Sequence, residues 1–308
     1  MKLKTLLFIL IVNVTLLSCA LLQAGTHGGY QSADKNVGKI VNMINSMDIR
    51  KTGDISRTRI VIAVPKNIEG KQEILDIDCS VKPEQILDDG TNTYYIFNFN
   101  NKNLPSKIQI KTRLLLFKCD YESNNHNIYK SNEDIDQNWL KAERYLETKN
   151  PELITIAQSL KRETYEDTVK AIFDFVCMHL RYNKYDPKDN GALWAYKKGY
   201  GDCTEYTDLF ITLCRILNIP SRYNEGYTTR GSNLLHNWPE VYFPNIGWVY
   251  FDPMYRDNSS STTYAKLSKN YISISKVRND NNLNGYHYYC YNYSGSGVVS
   301  INSKIHIY

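Results

Sequence analysis

No two of the seven cysteines stand in a CxxC spacing. That excludes a zinc ribbon and a thioredoxin-type redox pair. The chain also lacks a P-loop, a GxGxxG and an HExxH, so neither phosphate-cradling nor zinc-protease chemistry has a motif to stand on. No internal repeat is visible, which excludes solenoids and propellers. Charge of one sign is never much in excess: 37 Lys and Arg face 32 Asp and Glu, a formal +5. Assigning Lys2 and Lys4 to a leader removes two of those five charges and leaves about +3, too little to make nucleic acid the main partner. No apolar run reaches the roughly 20 residues that a membrane-spanning helix needs. What is present is an ordinary globular composition, 308 residues with 42% hydrophobic and 22% charged, together with 25 tyrosines. That many aromatics suits packed β-structure, and it also suits sugar or peptide binding.

Residues 1–18 read as a signal peptide: two lysines, then an apolar run from Leu6 to Leu17 broken by Asn13 and Thr15. Its length fits the core of an export signal. The segment Leu16-Leu17-Ser18-Cys19 resembles the bacterial lipobox, which implies cleavage before a lipidated Cys19. Several acyl chains hold a protein on a membrane far more firmly than one. A secreted chain cut after Ala24 is the other reading. No aspartate follows Cys19 as a retention signal, which fits the outer membrane better than the inner. Residues 19–50 read as a lipidated tether, with a short helix over 37–47.

Alternating apolar residues and turn signals place strands in residues 57–64, 75–81, 93–99 and 107–117, so that 51–121 forms a small β-sandwich-like domain. Cys79 and Cys119 both fall there, and an exported protein could pair them. From residue 133 the period changes to that of helices, over 135–146, from Pro151 to 160, over 166–182 and over 204–217. Cys177 and Cys214 sit on the apolar faces of two of these and read as core residues. The acids at Asp186 and Asp189 lack EF-hand spacing and read as a solvated turn. Strands follow at 221–227, 238–243, 248–251, 271–277, 286–293 and 298–307. Residues 122–308 thus read as an α+β domain, with a core at 165–255 and a C-terminal β extension, 256–308, that shapes the cleft.

Cys203 stands apart from the other cysteines. In Gly201-Asp202-Cys203-Thr204-Glu205, Asp202 is a good N-cap and Glu205 stands three residues on, the spacing of a capping box. Cys203 then opens a helix, where unpaired N–H groups and the helix dipole favour an anion and should pull a thiol pKa below about 8.5. Gly199 and Gly201 keep side chains off the sulfur. Downstream lie 235–242, with His236, and 247–253, with Asp252. A hairpin centred on Pro244 would set His236 directly opposite Asp252, with Cβ atoms about 5 Å apart on one face. Cys203, His236 and Asp252 together supply a nucleophile, a base and an orienting carboxylate. The Cys203 N–H is a natural oxyanion donor, and Tyr182, Asn183 or Trp194 could supply a second.

The ordered run Gly-Tyr-Gly-Asp-Cys-Thr-Glu-Tyr, then Asn218-Ile219-Pro220-Ser221-Arg222-Tyr223, then His236-Asn237-Trp238-Pro239-Glu240-Val241-Tyr242, then Gly247-Trp248-Val249-Tyr250-Phe251-Asp252-Pro253 resembles the bacterial transglutaminase-like superfamily. The resemblance implies a papain-like α+β core in which the nucleophile opens a helix packed on an antiparallel sheet. It assigns Cys203 as nucleophile, His236 as base and then acid, and Asp252 as orienting carboxylate.

The resemblance implies a cysteine peptidase or amidohydrolase that attacks a peptide or protein amide, peptidoglycan stem peptides among the candidates, and passes through a thioester. It also admits a transamidase, in which an amine replaces water. A third reading is a silent lipoprotein that binds peptide or glycan through Tyr286, Tyr288, Tyr289, Tyr291 and Tyr293. No cofactor and no metal is called for. The expected location is the bacterial cell envelope, with the lipid on Cys19 as membrane contact and no nucleic acid partner.

Overall fold

The computed structural model describes residues 37–121, 137–229, 235–244, 246–255 and 263–308. The leader, Cys19 and the first part of the tether lie outside them. The rest of the tether does not, and it is not a tether. Residues from Lys39 to Thr52 form a long strand, β1, in which Val41, Met43, Asn45, Met47 and Ile49 are buried. That alternation has the strand period of two, and Ile44 beside it mimics the helical period that suggested a helix over 37–47.

Strands β2 (Ile55–Val64), β3 (Gln72–Cys79), β4 (Gln85–Asp88), β5 (Thr93–Phe99) and β6 (Lys107–Leu116) follow, then the short β7 (Cys119–Asp120). They build a sandwich, as expected, but the C-terminus completes it. Strand β15 (Tyr289–Gly295) pairs with β2, and β16 (Val298–Ile307) pairs with β1. The two sheets run β16-β1-β6-β3 and β15-β2-β5-β4. Met47 and Ile49 of one meet Ile60, Ile62 and Phe97 of the other in a shared core. Residues 289–307 therefore finish the first domain instead of shaping the cleft, and the boundary at 121 does not separate two units: Asn36–Tyr308 is one. The physical reason is edge protection, since without β15 and β16 both β1 and β2 would present unpaired backbone. Cys79 and Cys119 are both free thiols, as are all six cysteines among the described residues.

The helical part comprises α1 (Pro151–Leu160), α2 (Tyr165–His179), α3 (Ala192–Lys198) and α4 (Cys203–Ile216). All but α3, which follows Gly191, start where the sequence carries a side-chain cap. Asn150 accepts from the Glu152 and Leu153 N–H groups with Pro151 at the first position, and Thr164 accepts from Asp167 N–H. The helix expected over 135–146 is replaced by a single 3-10 turn at Gln137–Leu140; residues 135 and 136 lie outside the described ones. The pair β8 (Arg181–Tyr182) and β9 (Tyr200–Gly201) is parallel and ties the end of α2 to the residues before α4.

Helix α4 is buried on every face from Thr204 to Arg215. An all-round buried helix has to satisfy its polar side chains internally. Thr207 donates to Cys203 O at 2.7 Å, Arg215 donates to Ser221 O at 3.0 Å and pairs with Glu143, and Asp208 accepts from Arg278. Beneath α4 lies a four-stranded antiparallel sheet, in the order β12 (Gly247–Tyr250), β11 (Leu235–Phe243), β10 (Ser221–Thr228) and β14 (Tyr271–Ser275). The pair β13 (Lys266–Leu267) and β7 closes one side.

The sandwich and this sheet are stitched together by buried side chains. Gln72 both donates to Ser273 O and accepts from Ser273 N–H at 2.9 Å, and Lys71 Nζ donates to Tyr271 O at 2.9 Å. Both residues are buried. The sandwich thus fixes the strand that carries Tyr271.

Candidate active site

The capping box forms as the sequence predicts. Asp202 Oδ1 accepts from Thr204 N–H at 2.8 Å, and Glu205 Oε2 accepts from Asp202 N–H at 3.0 Å. Cys203 is the first helical residue and is half-buried. Its own N–H lies in the first turn and has no partner inside the helix. Strand β11 runs to the same helix end. Asn237 Nδ2 donates to Thr204 Oγ1 at 2.9 Å, and the Asn237 main chain lies near enough to the Cys203 sulfur to favour its anion. His236, next in the strand, has its Nε2 2.6 Å from Asp252 Oδ2, and both side chains are buried. A carboxylate only accepts, so Nε2 carries the proton, and in the neutral ring Nδ1 is left as the acceptor.

The structure therefore brings all three predicted residues to one place, though by a different register from the one expected. The ladder pairs Glu240 with Tyr250 and Phe243 with Gly247, two residues off a hairpin centred on Pro244. Phe251 N–H still donates to Pro239 O, which sets Asp252 across from Trp238. His236 and Asp252 are diagonal neighbours instead of a facing pair. A shift of two preserves the face, whereas a shift of one would have sent Asp252 to the other side of the sheet.

Asp252 is held by more than the histidine. Tyr271 Oη donates to Oδ2 at 2.7 Å, Tyr255 N–H donates to Oδ1 at 3.1 Å, and Asp252 N–H donates to Thr263 O at 3.0 Å. Around the imidazole, Trp238 stacks at 5.9 Å, Tyr255 leans over it at 4.7 Å and Tyr271 lies at 5.7 Å. Tyr271 is a site residue that the sequence does not reveal. It sits on β14, brought in only through the pairing of β14 with β10. Tyr271→Phe removes one donor from a buried carboxylate. It should cost about 1–3 kcal/mol of stability and lower turnover roughly tenfold while leaving KM unchanged, as thermal melts and steady-state kinetics would show.

The thiol does not sit where the helix end alone would put it. Burial pushes its pKa up, and the Asp202 carboxylate adds to this, as do Asp252 and Glu205; the Asn237 main chain opposes them. The expected depression is reversed first by burial and then by the carboxylates around the helix end.

Of the possible second oxyanion donors, the Asn183 main-chain N–H is already committed to Gly201 O at 2.8 Å. Trp194 packs edge-on against Tyr200 at 5.3 Å. Tyr182 is exposed and lies within electrostatic reach of Tyr255, which also faces Cys203. Asp189 is not part of a free turn: it pairs with Arg278 at 3.0 Å and with His287 at 3.2 Å. No group of acids, histidines and cysteines fit to hold a metal ion occurs among the described residues. Among these residues, too, no helix is long and apolar enough to cross a membrane.

Residues 154–253 match the family profile of the transglutaminase-like superfamily. A solved structure of a candidate cysteine protease from Cytophaga hutchinsonii is similar in fold, with TM-score 0.60 and 18% identity over 87% of this chain and 90% of that one. The periplasmic domain of TgpA from Pseudomonas aeruginosa aligns at TM-score 0.37 and 17% identity, over 67% of this chain and 75% of that one. An uncharacterised Bacillus subtilis protein, YebA, is 37% identical over a stretch covering 20% of this chain and 10% of that protein. The chain spans about a tenth of the length of this curated relative. The buried helix that opens on cysteine and the antiparallel sheet that carries the histidine and its acid lie within the stretch, residues 154–253, that is similar to the transglutaminase-like superfamily.

Proposed function

We propose that the protein is a cysteine peptidase or amidohydrolase working through Cys203, His236 and Asp252. The observation that carries this reading is the 2.6 Å contact between Asp252 and His236 Nε2, with Asn237, the residue after His236, bonded at 2.9 Å to Thr204, the residue after Cys203. Nδ1 takes the thiol proton as the sulfur attacks an amide carbonyl. The Cys203 N–H faces the oxyanion that develops. The imidazolium then gives its proton to the leaving amine, and a thioester remains on Cys203. Water, activated by the same histidine, releases the acid and restores the thiol. Because the thiol pKa is raised, the reactive thiolate arises together with the imidazolium and does not stand ready beforehand.

The chain's place, on this reading, is the bacterial cell envelope, held there by lipid on Cys19. Peptides or peptidoglycan stem peptides are the substrates to try first. The test is incubation with peptide and muropeptide mixtures, with and without an added amine, read by mass spectrometry. A product heavier by one water shows hydrolysis. A product carrying the amine shows transamidation. An unchanged mixture, identical to that left by Cys203→Ala, contradicts the enzymatic reading.

A further inference from the structure

The capping box of α4 is unusual in that both of its partners are carboxyl groups and both are buried, with Asp202 4% and Glu205 2% exposed. A Ser or Thr at the cap would have left one acid there; this chain places two, on either side of the nucleophile. Their packing is close. A Cβ on Gly201 would come within 2.4 Å of Glu205 Cβ, so the glycine before the cap is what lets Glu205 fold back over it.

The neighbours of Glu205 give it no cation. Its Oε2 accepts from Asp202 N–H at 3.0 Å, and Asn190 Nδ2 reaches Oε1 at 3.5 Å. Two buried carboxyl groups side by side, with no cation between them, are better served by one shared proton than by two charges. Asp202 Oδ2 accepts from Asp186 N–H at 3.1 Å. The nearby cations are committed elsewhere. Arg278 is bidentate on Asp208, at 2.9 and 3.2 Å, and also holds Asp189. His287 bridges Glu225 at 2.5 Å and Asp189 at 3.2 Å. Facing Glu205 from its own helix are Asp208 and Cys203, both without positive charge, and from the preceding loop Asn190 and Asp202.

We propose that Glu205 is a positioning residue for the proposed cysteine chemistry: as a neutral acid it shares one proton with Asp202, caps the nucleophile's helix and keeps a second negative charge away from the Cys203 sulfur. When that proton leaves, the pair carries two charges beside a sulfur that is meant to become an anion, and the thiolate becomes harder to form. Burial and then the Asp202 charge push the Glu205 carboxyl up to about 7, so the loss falls within the ordinary working range of pH. The proposal rests on Cys203 being the nucleophile, but its test needs no substrate.

The measurement is the rate of iodoacetamide labelling of the Cys203 peptide in the full chain, resolved by mass spectrometry, at pH 5.5 and pH 8. Glu205→Gln keeps an oxygen for the Asp202 N–H, gives up only the long 3.5 Å contact with Asn190, and cannot ionise. It should label within about twofold of the parent protein at pH 5.5 and about tenfold faster at pH 8. A ratio of variant to parent that is the same at both pH values overturns the proposal. Should thermal melting show Glu205→Gln unfolded, Asp202→Asn is judged by the same criterion, because it removes the same second charge and its amide oxygen can still accept from Thr204 N–H. A labelling shift without any amide turnover would count against the proposed enzyme and leave the role of Glu205 standing.

Discussion

Replacing Cys203 by alanine is expected to abolish turnover, a fall in kcat of about a millionfold, and to leave the fold intact. The substitution removes one sulfur from a half-buried position and touches neither half of the capping box, since Asp202 and Glu205 supply all of its side-chain contacts. Steady-state kinetics with circular dichroism checks both parts. The result discriminates because five other free cysteines, Cys79, Cys119, Cys177, Cys214 and Cys290, remain in the described residues. None of these opens a helix. Burial pushes the Cys214 thiol well up, with only the Arg215 charge opposing it, and Cys177 is spent on Pro253 O at 3.2 Å. Residual activity in Cys203→Ala could not be passed to them and would remove the nucleophile from the reaction.

Asp252→Asn should lower kcat by about a thousandfold or more, with KM changed far less. The carboxylate has three donors aimed at it: His236 Nε2 and Tyr271 Oη at Oδ2, and Tyr255 N–H at Oδ1. An amide has one oxygen where the carboxylate has two. If its NH2 turns toward His236, it meets two donors and forces the imidazole into the wrong tautomer. If it turns toward Tyr255, it meets one donor and keeps the tautomer, but the imidazolium loses its counter-charge in a buried place. The second arrangement costs less and still leaves proton transfer from Cys203 uphill. A kcat within a few-fold of the parent would mean that Asp252 orients nothing in the reaction.

Much of the site could be read in the sequence because its determinants are local. Asp202 and Glu205 lie three residues apart around Cys203, so a capping box and a helix-opening cysteine follow from four adjacent residues. Likewise Asn150 with Pro151, and Thr164 with Asp167, mark α1 and α2 before any packing is known. The His236 and Asp252 partnership is also readable, because strand period fixes faces even where register is open; the hairpin centres one residue beyond Pro244, which shifts every pairing by two and so keeps the face. What stayed hidden depends on distant chain. Nothing near Tyr271 announces that β14 pairs with β10 and delivers a hydroxyl to Asp252. Nothing in 289–307 says that these strands return to β2 and β1, 250 residues earlier by the facing pair Ser300 and Arg50. The thiol's raised pKa belongs to this group too, for it is set by burial and by Asp252 from across the site as much as by Asp202 beside it.

The most direct test is to catch the intermediate. A substrate found by the mixture screen is mixed with the enzyme, quenched in acid during turnover, and digested for mass spectrometry. The peptide containing Cys203 should carry the acyl half of the substrate as a thioester that hydroxylamine removes, and the adduct should build up when His236 is replaced by a residue that slows its release more than its formation. Turnover with no acyl group on that peptide, or with the group on another cysteine, would contradict a Cys203 nucleophile served by His236 and Asp252.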